Sequence, residues 1–405
     1  MYDFSLGLWA SKEHACDGDY EAFRFPRRRF LQSIGCGAGV LLSRPFLHSA
    51  FPQEAQSIRL ITRQDDPYNA EPLLKALVQD WITPVDRFFV RSHAAVPKID
   101  LSTYRLRIEG LVKKPSVFSL QELGETFRSK ETVATLTCAG NRRSEFKGGK
   151  IPGVAWEAAA IGNARWQGVS LTEVLKAAGI KENAKHIWFE GADSISQKGE
   201  TFQFGGSIPI ERVTRNANND GDVLLATSMN GQQLTAAHGA PLRAVVPGYI
   251  GARSVKWLNR IVVSDRPSSN HFVAHAYKVV SEDTIAAHEA VDPIYQYVLN
   301  SAGIALDKSN GKHVLRGYAL PSGEHGVRIK QVEFSLDDGK TWQVAKLESP
   351  AADFCWQLWS AEVPVRSDVK HVLVRAEDTS GAKQSREMPL NAKGYQYNAW
   401  HPVKL

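Results

Sequence analysis

The stretch "TLTCAGNRRSEF", residues 135–146, puts a cysteine where a β-rich run ends, follows it with a small Ala-Gly-Asn turn, and brings in two arginines at once. A thiolate is the form of cysteine that binds metals or attacks electrophiles, and neighbouring positive charge favours it. Arg142 and Arg143 stand close enough in sequence to supply that field. The residues alone leave three readings open: a nucleophile, a soft metal ligand, or a core thiol whose arginines bind something else. A nucleophilic cysteine wants a histidine partner, and none is adjacent in sequence. A structural zinc wants more thiols or clustered histidines. The four cysteines, Cys16, Cys36, Cys138 and Cys355, form no CxxC and no haem-attaching CxxCH. A single thiolate suffices where a cofactor brings the remaining ligands.

At 405 residues the chain has room for two domains behind a leader. The formal charge of +6 is a mild basic excess spread along the sequence. Beyond the leader there is no basic run with interleaved aromatics, which argues against nucleic-acid binding and leaves anionic small molecules as partners. In "FPRRRFLQSIGCGAGVLLSRPF" (25–46), Arg27, Arg28 and Arg29 precede a weakly apolar run of about a dozen residues, as in twin-arginine export signals. The run is too short and too glycine-rich for a stable membrane span. Residues 1–52 are therefore expected to be a twin-arginine leader and the protein to be periplasmic. That route carries folded proteins, which hints at a cofactor inserted before export.

After an N-terminal extension over 53–84, residues 85–270 mix helical and strand periods. "SLTEVLKAAGI" (170–180) predicts a short helix, with Ser170 as N-cap, Glu173 three residues on and Gly179 at its end. "AKHIWFEG", "DVLLATSMNG" and "PLRAVVPGY" read as strands bounded by turn residues. From 275 to 405 the texture becomes purely β. "KHVLRGYAL", "VRIKQVEFSLDDGKTWQVAKL", "CWQLWSAEVPV" and "KHVLVRAEDTSG" alternate with period two, and Asp338-Gly339 signals a tight turn. The expected class is α+β: a mixed α/β domain followed by an immunoglobulin-like β-sandwich.

The opening stretch resembles the cofactor-cysteine motif of the sulfite oxidase family of molybdenum enzymes. Other segments resemble that family in the same order: "RFFVRSH" (87–93), "GVAWEAAAIGNARWQGVSL" (153–171), "WFEGAD" (188–193), "FGGSIPI" (204–210), "DVLLATSMNGQQLTAAHGAPLRAVVPGYIGARSVKWL" (222–258) and "NAWH" (398–401). The resemblance covers the chain from about residue 85 to its end and implies a molybdopterin-binding domain with a dimerisation sandwich. It makes Cys138 the protein thiolate on a molybdenum–molybdopterin cofactor. It puts Arg91, Arg143 and Trp156 around a small anion pocket, where guanidinium forks suit an oxyanion. Phe89, His93, Asp193, His238, Arg243, Ser254 and Lys256, with Arg91 again, match positions holding the pterin and its phosphate. Tyr277 falls where the family carries an active-site tyrosine, and Arg142 is left to support the loop or cofactor.

The implied reaction is oxygen-atom transfer that turns sulfite into sulfate. No haem-binding stretch is found in the chain, so the electrons are expected to leave through a separate c-type cytochrome, and a homodimer is expected. One departure concerns the substrate. The resemblance implies a third pocket arginine near a stretch like "FCWQLW" (354–359), and Gln357 is the nearest equivalent here. Relatives with altered pockets act on nitrate or on carrier-bound sulfane sulfur, so a sulfane dehydrogenase is the closest rival and a nitrate reductase a weaker one. From a different class, a non-catalytic secreted binding protein would hold no molybdenum and would not need Cys138.

Overall fold

Period-two alternation is clearest in the strand His186–Gln197, where Ile187, Phe189, Gly191, Asp193 and Ile195 are buried and the intervening side chains are not. This alternation carries Asp193 to the inside of the protein. The computed structural model describes residues 60–148, 151–197, 199–214, 222–309 and 311–405. The leader with its arginines, Cys16 and Cys36 lies outside the described residues.

Two five-stranded sheets build the first half. In one, Ser129–Thr137 pairs with Ile161–Ser170, which pairs with Leu224–Met229; Gln232–Gln233 and Arg243–Val245 add to that third strand. The other runs in the order Ser116–Phe118, Leu106–Gly110, Leu258–Ser264, His186–Gln197, Glu200–Pro209. Here Leu258–Ser264 lies parallel to Leu106–Gly110, and the sheet's other pairings are antiparallel. The helix Leu171–Ala178 buries Leu171, Val174, Leu175 and Ala178 against the core and ends at Gly179, whose φ of +69° suits glycine. Ser170 occupies the N-cap position without its side chain accepting a cap hydrogen bond. A full capping box instead begins the helix Leu120–Thr126, between Ser119 and Glu122.

Two four-stranded sheets follow. One contains Asn300–Ser309, Lys312–Leu320, Gln357–Pro364 and Lys346–Leu347; the other contains Gln343–Val344, Ile329–Ser335, His371–Asp378 and His401–Lys404. Their facing sides bury Leu315, Val332, Phe334, Trp359, Val372 and Val374, giving the immunoglobulin-like sandwich. Trp359 lies over Gly303 and Gly317, where an added Cβ would come within 2.5 and 2.4 Å of the indole, so these glycines make room for the ring. Asp338 and Gly339 both have positive φ, as a tight turn requires, but pairing begins only at Phe334 and Gln343. The turn thus sits in a longer loop that Asp337 holds by accepting from the Ser335 and Thr341 hydroxyls at 2.8 and 2.6 Å.

The sandwich is joined tightly to the first half. Trp81 and Trp356 exchange indole-to-carbonyl hydrogen bonds of 3.1 and 3.0 Å, and the described residues belong to one compact unit. Among the described residues no helix is long and apolar enough to cross a membrane.

Candidate active site

Cys138 follows directly on the strand Ser129–Thr137, and its loop is pinned from several sides. The Cys138 N–H donates to Ala160 O at 2.9 Å, and Asn141 Oδ1 accepts from Ala160 N at 3.0 Å. The Gly140 N–H donates to the thiol sulfur at 3.4 Å. Arg142 takes the left-handed conformation (φ +66°), and this sends the two adjacent arginines to different destinations. Arg142 is fully buried. Its fork binds both Glu145 oxygens at 2.8 and 2.7 Å, and Nη1 donates to Asn300 Oδ1 and Ser301 O in the sandwich. Burial opposes ionisation of Glu145, but the Arg142 guanidinium wins and holds its carboxyl well below the usual range. Arg142 therefore supports the loop.

Arg143 turns the other way. Its Nε donates to the carbonyls of Lys393 and Gly394 at 3.1 and 3.2 Å, and Nη1 donates to Val154 O at 2.9 Å. Its guanidinium sits 5.2 Å from the Tyr395 ring centroid. An added Cβ at Gly140 would fall 2.6 Å from its guanidinium carbon, so the glycine in "CAGN" gives Arg143 its place.

Two chambers meet at the thiol. The inner one is lined by Phe89, Arg91, His93, Cys138, Asp193, His238, Arg243, Ser254, Lys256 and Tyr277 along with Ser92, Phe204 and Trp257. The outer one is lined by Arg91, His93, Cys138, Arg143, Gly153, His271, Tyr277, Lys393 and Tyr395 among others. Arg91, His93, Cys138 and Tyr277 line both.

The inner chamber gathers basic side chains around one carboxyl group. Arg243 donates to His238 O and Ser254 O at 2.9 and 3.0 Å and lies over Trp166; Lys256 donates to Ser92 Oγ and Ala237 O, both at 2.9 Å. Burial, then Arg243, pushes Lys256 well below its usual range. Burial, then Arg243 and Lys256, pushes His238 down to about 3. Burial raises Asp193, whose Oδ1 is enclosed without a hydrogen-bond partner. An unpartnered acceptor and crowded basic donors in one chamber fit a ligand with an N–H edge and an anionic end, as a pterin phosphate has.

At the junction, Arg91 is held by Asn69 Oδ1 at 3.1 Å and donates to His93 Nε2 at 2.7 Å, while the Tyr277 hydroxyl lies 3.0 Å from the same nitrogen. Burial, then Arg91, holds His93 far below its ordinary pKa, so it is neutral and Nε2 is an acceptor. Burial raises the Tyr277 phenol, which stays protonated.

The structure puts two residues elsewhere than the sequence reading does. Trp156 is fully buried in the cluster that also holds Cys138 and Phe89 and lines neither chamber; its Nε1 has no partner. Gln357 is buried in the sandwich, donating to Ser349 O at 3.0 Å, and also lines neither chamber. The cation that the second domain brings to the outer chamber is Lys393. Its only sequence signal was its place just before "NAWH". Asn69, which orients Arg91, was missed because it lies in the stretch read as an extension.

The depressed histidine gives a pH prediction for protein free of cofactor. Unfolded His238 takes a proton near its ordinary 6.5, whereas the folded one resists until about 3. Stability is therefore full above pH 6.5 and falls through that window by up to about 1.4 kcal/mol per pH unit. Denaturant titrations at pH 7 and 5 should show the loss, and His238→Asn should reduce it; equal slopes in both proteins would contradict it.

Family models match both halves: "Oxidoreductase molybdopterin binding domain" over residues 93–272 and "Mo-co oxidoreductase dimerisation domain" over 288–405. The chain is 38% identical over 356 residues to the sulfite oxidase of Gallus gallus, a match covering 83% of this chain and 75% of that protein. It is 38% identical over 360 residues to the mitochondrial sulfite oxidase of Homo sapiens, covering 84% and 64%. The NADPH nitrate reductase of Emericella nidulans is 33% identical over 402 residues, covering 88% and 45%. Among solved structures, the sulfane dehydrogenase SoxCD of Paracoccus pantotrophus superposes with a TM-score of 0.72 at 26% identity, covering 87% of this chain and 92% of that one.

Proposed function

Since the chain belongs to the sulfite oxidase family of molybdopterin-dependent oxidoreductases, we propose that it oxidises sulfite to sulfate at a molybdenum–molybdopterin cofactor. The observation that carries this reading is the meeting of the two chambers at Cys138, Arg91, His93 and Tyr277. When bound, the cofactor supplies oxygen-atom transfer and two-electron redox chemistry. Overall, sulfite and water give sulfate, two protons and two electrons. Cys138 holds the metal. Phe89, His93, Asp193, His238, Arg243, Ser254 and Lys256 hold the pterin and its phosphate. Arg91, Arg143 and Lys393 draw the anion towards the thiol side of the outer chamber and offset its charge. The Tyr277 hydroxyl, protonated and lining both chambers, is placed to donate to a substrate oxygen.

Arg143→Gln should weaken substrate binding by about 1.5–3 kcal/mol, the worth of a charge-assisted hydrogen bond, read as a raised KM for sulfite. An unchanged KM would remove Arg143 from the pocket.

The arginine-led leader supports export to the periplasm, with a c-type cytochrome as electron acceptor, and the second family model supports a homodimer. Molybdenum content and sulfite-dependent reduction of cytochrome c, measured on one purified sample, test the proposal. Molybdenum with turnover is the expected result, and protein without molybdenum from a host that makes the cofactor would overturn it. Molybdenum without sulfite turnover would move the substrate to carrier-bound sulfur, a reading favoured by the structural likeness to a sulfane dehydrogenase.

A further inference from the structure

The cations of the outer chamber differ in how their charge is spent. Arg91 is held by the Asn69 side-chain oxygen, the Ser92 carbonyl and neutral His93, and Arg143 by three carbonyls. None of these partners carries a charge, so both guanidiniums keep their full positive charge for a ligand. Lys393 does not. Its Nζ lies 2.6 Å from Asp283 Oδ2 in an ion pair. Asp283 belongs to the segment between the two halves of the protein and is itself oriented: its Oδ1 is 2.9 Å from Nε2 of buried His288. The Nδ1 of His288 is enclosed without a partner, and Lys278 Nζ donates to the His288 carbonyl. The backbone aligns the same pieces, since the Ala392 N–H donates to Val280 O at 2.9 Å and the Lys393 carbonyl accepts from Arg143. The Lys393 backbone is thus fixed to the pocket while its ammonium is neutralised from outside it.

We infer that Asp283 is a specificity-determining residue that competes with the anionic substrate for Lys393. This rests on the reading of the outer chamber as an anion site. No carboxylate lines that chamber among the described residues, so the pairing at its edge sets whether the entering anion meets two free cations or three. A small dianion has to draw the ammonium away from Asp283, and the exchange costs about what a partly exposed ion pair is worth. The side chain of Asp283 is 55% exposed and that of Lys393 25%, so the carboxylate can be released to water as the ammonium turns to the anion. Asp283 thereby lowers the affinity for the anion and speeds its departure.

The test is calorimetric titration of sulfate into purified molybdenum-loaded protein, with KM and kcat for sulfite measured alongside. Asp283→Asn should bind sulfate about fivefold more tightly, with the change in turnover falling on KM rather than kcat. Lys393→Met should bind it more weakly, and adding Asp283→Asn to Lys393→Met should restore nothing. Unchanged or weaker sulfate binding in Asp283→Asn, with wild-type sulfate binding intact, overturns the inference alone. So does an equal gain with and without Lys393, which would make Asp283 only a distant negative charge. Absence of sulfate binding in every protein, Asp283→Asn included, overturns the inference together with the anion-site reading beneath it.

Discussion

Cys138→Ser is expected to abolish sulfite-dependent turnover while leaving a folded protein. The thiol sits where the two chambers meet, in a loop whose backbone bonds to Ala160 and Asn141 do not involve the sulfur. Serine fits the same space and loses only the weak Gly140 N–H contact to sulfur. What changes is the ligand, because a hydroxyl replaces a soft thiolate towards the metal. Changing residues that merely support metal ligands costs about 10–100-fold, so losing the ligand itself should cost more than that. The check is turnover, together with a circular dichroism spectrum matching the wild type. Turnover within about tenfold of wild type would remove Cys138 from the centre of the account.

Arg142→Ala is expected to be the most damaging single change to stability. The side chain is wholly buried, grips Glu145 with two nitrogens and reaches Asn300 and Ser301 across the boundary with the sandwich. Removing it leaves Glu145 largely enclosed without its guanidinium, and breaking one side of a buried pair costs about 3–5 kcal/mol. Chemical denaturation should show a loss of that size. Arg142→Lys should recover only part of it, since an ammonium cannot make the forked contact. A loss below about 1 kcal/mol would mean that the pair is screened like a surface one. Because Arg142 and Arg143 are neighbours, comparing Arg142→Ala with Arg143→Gln also separates stability from binding: the first should mainly unfold the protein and the second mainly raise KM.

Much of this was legible in the sequence because each signal was local. The strand alternation that buries Asp193 is written in "HIWFEGADSI", and the change from mixed to purely β texture marks the start of the sandwich. The paired arginines after Cys138 announced positive charge, but not that a left-handed residue at 142 would direct one side chain to Glu145 and the sandwich and the other to the outer chamber. That division depends on Asn300, Ser301, Lys393 and Gly394, more than 150 residues away along the chain. Lys393 was hidden for the same reason. A lysine in a C-terminal loop looks solvated until the loop folds back over Arg143. Gln357 drew notice through its neighbours in sequence, yet its strand directs it into the sandwich. Trp156 shows the limit of residue type, since a tryptophan beside a pocket and one buried behind it read alike. The Ser119–Glu122 capping box was readable by its spacing and bears only on the helix it starts.

The central claim is that the Cys138 sulfur is bound to molybdenum. The most direct measurement is X-ray absorption at the molybdenum edge on the purified wild-type protein and on Cys138→Ser, each loaded with cofactor. The account predicts one sulfur fewer in the first coordination shell of the variant, with the remaining sulfur ligands unchanged. An identical sulfur shell in the two proteins would contradict it.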